Sequence, residues 1–202
     1  MKKSDITKQK ILEAATEAFA EKGFYGARVD DIMQKAGVNK RMLYAYYENK
    51  ENLYIAVLNR AYEQLSECEK TLLSEKLDPV NAVKRIIECD FEFLSSHPEF
   101  VNIILWENLN KAKYMKQSKA VSTKGISIDL LRKVFKQGIE QGVFRTDLDI
   151  EEMIVSVNMF CFSYFSNIYT MGYIMKTNFA SEKEIEKRCE HISEMILKYI
   201  AL

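Results

Sequence analysis

The chain has 202 residues, 48% apolar and 29% charged, and its 29 Lys/Arg are matched by 29 Asp/Glu. That composition suits a folded globular protein; it excludes a disordered chain and a polycation that holds nucleic acid by bulk charge alone. Only seven glycines and two prolines punctuate the chain and Val and Thr are sparse, so an all-α fold is expected.

Residues 5–22 read as a first helix, with Ile11, Leu12, Ala15, Ala18 and Phe19 on one stripe and Lys22-Gly23 as its stop. Residues 29–36 form a short second helix with Ile32, Met33 and Ala36 inward, broken by Gly37. Asn39 can cap a third helix that runs to about Tyr47 and turns Leu43 and Tyr47 inward. A long helix follows from about Lys50 to Glu75. Asp78-Pro79 restarts the chain, Asp as cap and Pro at the first helical position, and the new helix carries Val83, Ile86, Ile87, Asp90, Phe91 and Leu94.

Further helices are expected at about 99–117 and 122–141, then a connector, "QGVFRTDLD", in which Asp149 can cap the next helix. Residues 153–175 contain no charge and are long enough to span a bilayer. Ser156, Asn158, Ser163, Ser166, Asn167 and Thr170 are too many polar groups for lipid, so a buried helix is expected and no membrane contact. Ser181 and Glu184 have capping-box spacing at the start of the last helix. Its stripe Ile185, Cys189, Ile192, Ile196, Tyr199 packs either on the same chain or on a partner; Ile185, Ile192, Ile196 and Tyr199, together with the uncharged helix 153–175, are the candidates for a homodimer interface.

The four cysteines, at 68, 89, 161 and 189, have no CxxC spacing, and the start "MKKSDITKQK" has no apolar signal-peptide core. A cytoplasmic chain with reduced thiols is expected. His97 and His191 lie far apart without a second ligand at helical spacing, so neither metal nor cofactor is expected. No Ser/His/Asp order and no phosphate-cradling glycine loop supports an enzyme.

The stretch "RVDDIMQKAGVNKRMLYAYYENKENL" concentrates the chemistry. Residues 1–52 hold ten Lys/Arg against eight Asp/Glu, and within them Lys35, Lys40, Arg41 and Lys50 face only Glu48. Taken alone, such a cluster is either a solvated helix face or a nucleic-acid contact. The layout is that of a helix-turn-helix: a glycine turn lets two helices cross, and the second enters the major groove with its first residues at base edges. Cations at the helix start reach the bases; tyrosines further along reach phosphates with their hydroxyls while their rings pack.

"AGVNKRMLYAYYENKENL" resembles the signature of the TetR family, in which an alanine-glycine-valine turn leads into a leucine-tyrosine-x-tyrosine-aromatic helix and then a lysine. "ILEAATEAFAEKGFYGARVDDIMQKAG" resembles that family's first two helices. The resemblance covers roughly residues 6–55; the rest agrees in helix count, length and the "FRTDLD" connector. It implies a three-helix DNA-binding domain over residues 1–50 and a helical effector-binding and dimerisation domain over 51–202. It places Asn39, Lys40, Arg41 and Met42 at the groove-facing start of the recognition helix, and Tyr44, Tyr46 and Lys50 at backbone-contacting positions.

Three residues depart from the family pattern. Ala27-Arg28 replaces a common Thr or Ser, so Arg28 either supplies a charged phosphate contact or is solvated. Met33 stands where a small residue is usual, and Arg41 where glycine is frequent, which adds a side chain able to read guanine.

The function the resemblance implies is a homodimeric repressor of a palindromic operator on double-stranded DNA, released by a small apolar or aromatic effector. Asp90, Phe91, Trp106, Glu107, Asn158, Met159, Phe162, Phe165 and Tyr169 are the candidates for its pocket; core packing is the plainer role for the aromatics and Met, and a satisfied place on a helix surface for Asp90 and Glu107. A helical small-molecule carrier whose N-terminal helices bind a protein partner is the alternative.

Overall fold

The computed structural model describes residues 3–72, 76–118 and 125–202. Its helices are α1 (Lys3–Gly26), α2 (Val29–Ala36), α3 (Lys40–Tyr47), α4 (Lys50–Leu72), α5 (Pro79–Ser96), α6 (Pro98–Leu109), α7 (Gly125–Glu140), α8 (Ile150–Ser166), α9 (Ile168–Met175) and α10 (Glu182–Ile200). The fold is all-α; the β-type pairing seen among the described residues is one isolated bridge between Phe144 and Ala201. No described helix is long and apolar enough to cross a membrane. The expected end of the long helix at Glu75 and the expected start at 122 lie outside the described residues.

Most boundaries follow from local chemistry. Gly37 ends α2 in the left-handed conformation (φ 65°), and its N–H returns to the Gln34 and Met33 carbonyls. A Cβ there would meet nothing within 4 Å, so glycine is needed for its backbone and not for space. The Asp78 carboxylate accepts from the Val80 and Asn81 N–H groups at 3.1 Å each, with Pro79 opening α5. Asp149 caps α8 through the Glu152 N–H at 3.1 Å.

The structure corrects four sequence expectations. Gly23 stops the first helix as predicted (φ 64°, ψ 178°), yet the chain then makes one more turn to Gly26. The helix expected over 99–117 ends at Leu109; turns with positive φ at Lys111 and Ala112 lead to a 3₁₀ turn at Met115–Gln117. The single buried helix expected over 153–175 is two helices broken at Asn167, and α9 is largely open, with Tyr173 89% exposed. Its polar groups are satisfied locally: Asn158 Nδ2 donates to the Ile154 carbonyl at 2.8 Å and Ser163 Oγ to the Met159 carbonyl at 2.6 Å. Finally, the capping box is not made, because Ser181 Oγ turns back to donate to the Asn178 carbonyl at 2.9 Å.

By packing, the chain divides into two compact units, Met1–Gln64 with Glu99–Thr123, and Leu65–Pro98 with Lys124–Leu202. In the first, Ile11, Phe19, Ile32, Leu43, Leu53 and Leu58 share one core with Ile103 and Tyr114. Tyr54 is its hub: the rings of Phe19 and Tyr114 meet it edge-on at 4.9 and 5.1 Å. In the second, α5 is the central helix, packed by α7, α8 and α10. Val83, Ile87, Phe91, Phe135, Val157 and Ile192 are buried there.

Candidate nucleic-acid interface

The third helix is seated by its apolar side and capped at its start. Leu43 is fully buried, with Met42, Tyr46 and Tyr47 half-buried beside it, whereas Lys40, Arg41 and Tyr44 are exposed. Asn39 is the cap, as expected: its Oδ1 accepts from the Arg41 N–H at 2.9 Å. That bond fixes the first turn and commits the Asn39 oxygen of an exposed side chain.

The cations at this surface differ in how they are held. Lys40 Nζ pairs with Asp30 Oδ1 at 2.7 Å, which holds the Asp30 carboxyl below the usual range and raises the Lys40 ammonium. Lys35 pairs with Glu17. Arg41 has no ion pair among the described residues, so it is the cation of α3 least tied to the protein. Arg28 precedes α2 and is exposed; its side chain makes no cap bond, though it lies near enough to Asp30 to lower it further.

Lys50 opens α4 and is half-buried, with Nζ 4.8 Å from the centre of the Phe24 ring. Burial lowers its pKa, so its ammonium is under-solvated and ready to accept an anion as partner. The Asn49 side chain caps the same helix through the Asn52 N–H at 2.8 Å, and the α4 N-terminus adds its own partial positive charge. Tyr46 stacks under Lys8, whose Nζ is 5.3 Å from the ring centre, and the Tyr47 hydroxyl donates to the Lys8 carbonyl at 3.3 Å. Burial raises the Tyr47 phenol, which stays a neutral donor. Sequence reasoning missed Asp30, Asn49 and Lys8, the residues that hold the cations and rings in place. Only the cap at Asn49, two residues after the aromatic run, had a local signal.

The residues expected around an effector are divided between the two units. Trp106 and Glu107 belong to the first. The Trp106 ring covers Gly23, and the buried Glu107 accepts from the Met115 N–H at 2.9 Å through Oε2, while Oε1 has no partner among the described residues. The rest belong to the second unit. Phe91 and Phe165 meet edge-on at 5.3 Å, and Asp90 stands beside the buried Cys161 thiol. Asn158 and Phe162 are half-buried, and Met159 and Tyr169 are exposed.

The four residues expected at a dimer seam differ in exposure. Ile192 and Ile196 are 0% and 2% exposed and belong to the core of their own unit. Ile185 is half-buried, and Tyr199 is exposed under the Arg145 guanidinium at 5.1 Å. The middle of the α10 stripe thus packs on its own unit, against α5 and α8, while its Tyr199 end stays exposed.

Comparison with known proteins identifies relatives of the chain. Residues 11–57 match the family described as "Bacterial regulatory proteins, tetR family", and residues 79–196 match "Tetracyclin repressor-like, C-terminal domain". The chain is 30% identical over 196 residues to the HTH-type transcriptional repressor NicS of Pseudomonas putida, covering 96% of this chain and 92% of that one. Its fold is similar to that of the ketosteroid transcriptional regulator KstR2 of Mycobacterium tuberculosis (TM-score 0.74, 20% identity, 96% and 95% of the two chains). It is also similar to the TetR family transcriptional regulator PfmR of Thermus thermophilus (TM-score 0.72, 22% identity, 93% and 97%).

Proposed function

Since this chain belongs to the TetR family of transcriptional regulators, we propose that it is a homodimeric repressor that reads a palindromic operator and lets go when a small molecule binds. The observation that carries the reading is the capped, exposed start of α3 above a buried Leu43, with Arg41 free of any ion pair among the described residues. Arg41 reads a guanine edge; Asn39, Lys40 and Met42 complete the groove-facing turn. Lys50, Tyr44, Tyr46 and Arg28 set the register on phosphates.

One α3 reads too few base pairs for a unique site, and a two-fold copy repeats it about 34–36 Å away. The exposed pairs Val155/Met159 on α8 and Met195/Tyr199 on α10, each four residues apart, are the surfaces offered for that contact. The effector binds the second unit, and release requires that it favour one conformation over the other. Selection from a random duplex pool tests the reading: an enriched inverted repeat is expected, and a pool that stays random returns the chain to the alternative of a ligand carrier.

A further inference from the structure

The second unit holds a cleft of about 520 Å³ along α9 and α10, within the range of small-molecule sites. None of the residues expected to line an effector pocket takes part in it. Tyr164, Ile168, Met171 and Phe179 supply an apolar, partly aromatic wall. The Tyr164 hydroxyl donates to the Phe179 carbonyl at 2.8 Å, so its polar atom is spent and its ring is what a guest meets.

The opposite flank is α10, which brings Lys187, Arg188 and His191 to the cleft. The carboxylate there, Glu184, lies 3.9 Å from Lys187. Arg188 is left over. Its Nε–H is buried and has no hydrogen-bond acceptor among the described residues. A buried guanidinium N–H without an acceptor is costly, and a carboxylate matches its planar fork better than any neutral group.

We propose that this cleft binds an amphiphile with one carboxylate and an apolar tail, the carboxylate on Arg188 and the tail against Ile168, Met171 and Phe179. This rests on the reading of the chain as an effector-responsive regulator, and it names the site and the ligand class. The excess positive charge selects against a cationic head, and a neutral head gives the Arg188 N–H a weaker, single acceptor in place of a charged, two-oxygen one.

Calorimetry on the full-length protein tests the site without DNA, using three probes that share one tail: decanoate, 1-decanol and decyltrimethylammonium, all below their aggregation range. Decanoate is expected to bind once per chain, decanol about tenfold or more weaker, and the cation without measurable heat. Arg188→Met should weaken decanoate by about tenfold or more and leave decanol unchanged. Met171→Glu, at a solvent-exposed position that does not disturb the core, should repel decanoate by placing a second carboxylate in the cleft. Decanoate that fails to bind, decanol that binds as tightly, or wild-type affinity in both variants overturns the site. Operator affinity with and without decanoate is measured separately. Arg188-dependent binding that leaves operator affinity unchanged keeps the site and removes the release mechanism. An operator response to other compounds with no decanoate binding does the reverse.

Discussion

Trp106 covers Gly23 so closely that a Cβ built on the glycine would stand 2.3 Å from the indole Cε2. Gly23 also holds φ 64° and ψ 178°, a conformation essentially confined to glycine. Gly23→Ala is therefore expected to destabilise by overpacking, about 1–3 kcal/mol, and by backbone strain of about 1–3 kcal/mol. In a double-mutant cycle, Trp106→Ala should recover the overpacking part and leave the strain. Chemical denaturation measures both, and additive effects of the two substitutions refute the contact. Trp106 emission should accordingly follow the packing of the first unit.

On DNA, Arg41 and Lys50 should separate by the kind of loss they cause. Arg41→Ala is expected to cost about 1–3 kcal/mol on the selected operator and relax one base position. Lys50→Ala should weaken all sequences alike and flatten the dependence on salt. Titrations at several salt concentrations distinguish them; unchanged base preference in Arg41→Ala removes that side chain from the reading set.

Asp30 restrains Lys40, and both are solvent-exposed, so the pair acts on binding more than on folding. Asp30→Asn should release the ammonium, tighten binding to random DNA and steepen its salt slope, with thermal stability almost unaltered. Random-sequence affinity equal to wild type would show that the ion pair does not hold Lys40 back.

The buried apolar set of α10 and the exposed apolar residues of α8 and α10 should respond in opposite ways. Ile192→Asp buries a charge and is expected to cost several kcal/mol and unfold the chain at ambient temperature. Met159→Glu with Tyr199→Glu changes exposed positions; it should yield folded monomers that have lost operator affinity. Light scattering and circular dichroism read the two outcomes, and an intact dimer in the second variant places the interface elsewhere.

Cys189 provides a pH test. Burial, reinforced by Glu88, Glu92 and Glu190, pushes its thiol up to about 11. A folded pKa raised above the unfolded one favours the neutral thiol. The resulting stability is full below about pH 8.5, and it is lost as pH rises toward 11. Wild type should lose stability faster than Cys189→Ala between these limits. Parallel pH profiles would contradict the shift.

The first three helices were legible in the sequence because their determinants are local. Apolar spacing fixes Ile32, Met33 and Leu43 inward, Gly37 supplies the left-handed turn, and Asn39 lies one residue ahead of the helix it caps. The partners of those residues were not legible. Nothing near Lys40 in sequence says that Asp30 from the preceding helix will reach it. A stripe through Ile192 and Ile196 announces that something covers it and is silent on whether that is the same chain. Ser181 had both residues of a capping box and a nearer acceptor at Asn178, and the nearer one won. Trp106 is large and apolar wherever it sits; only tertiary structure puts it on Gly23.

The core beneath α3 is closed by Ile103 and Tyr114, side chains that arrive after the chain has left that unit and returned. The helix-turn-helix end is thus not a detachable cassette. A graft of the N-terminal segment alone onto another regulator would leave its aromatic hub, Tyr54, facing a gap where Tyr114 stood. Lineages that trade specificity by recombination would have to carry α6 and the turn after it along with α1 to α3 and the first half of α4, or change α3 in place, one exposed residue at a time.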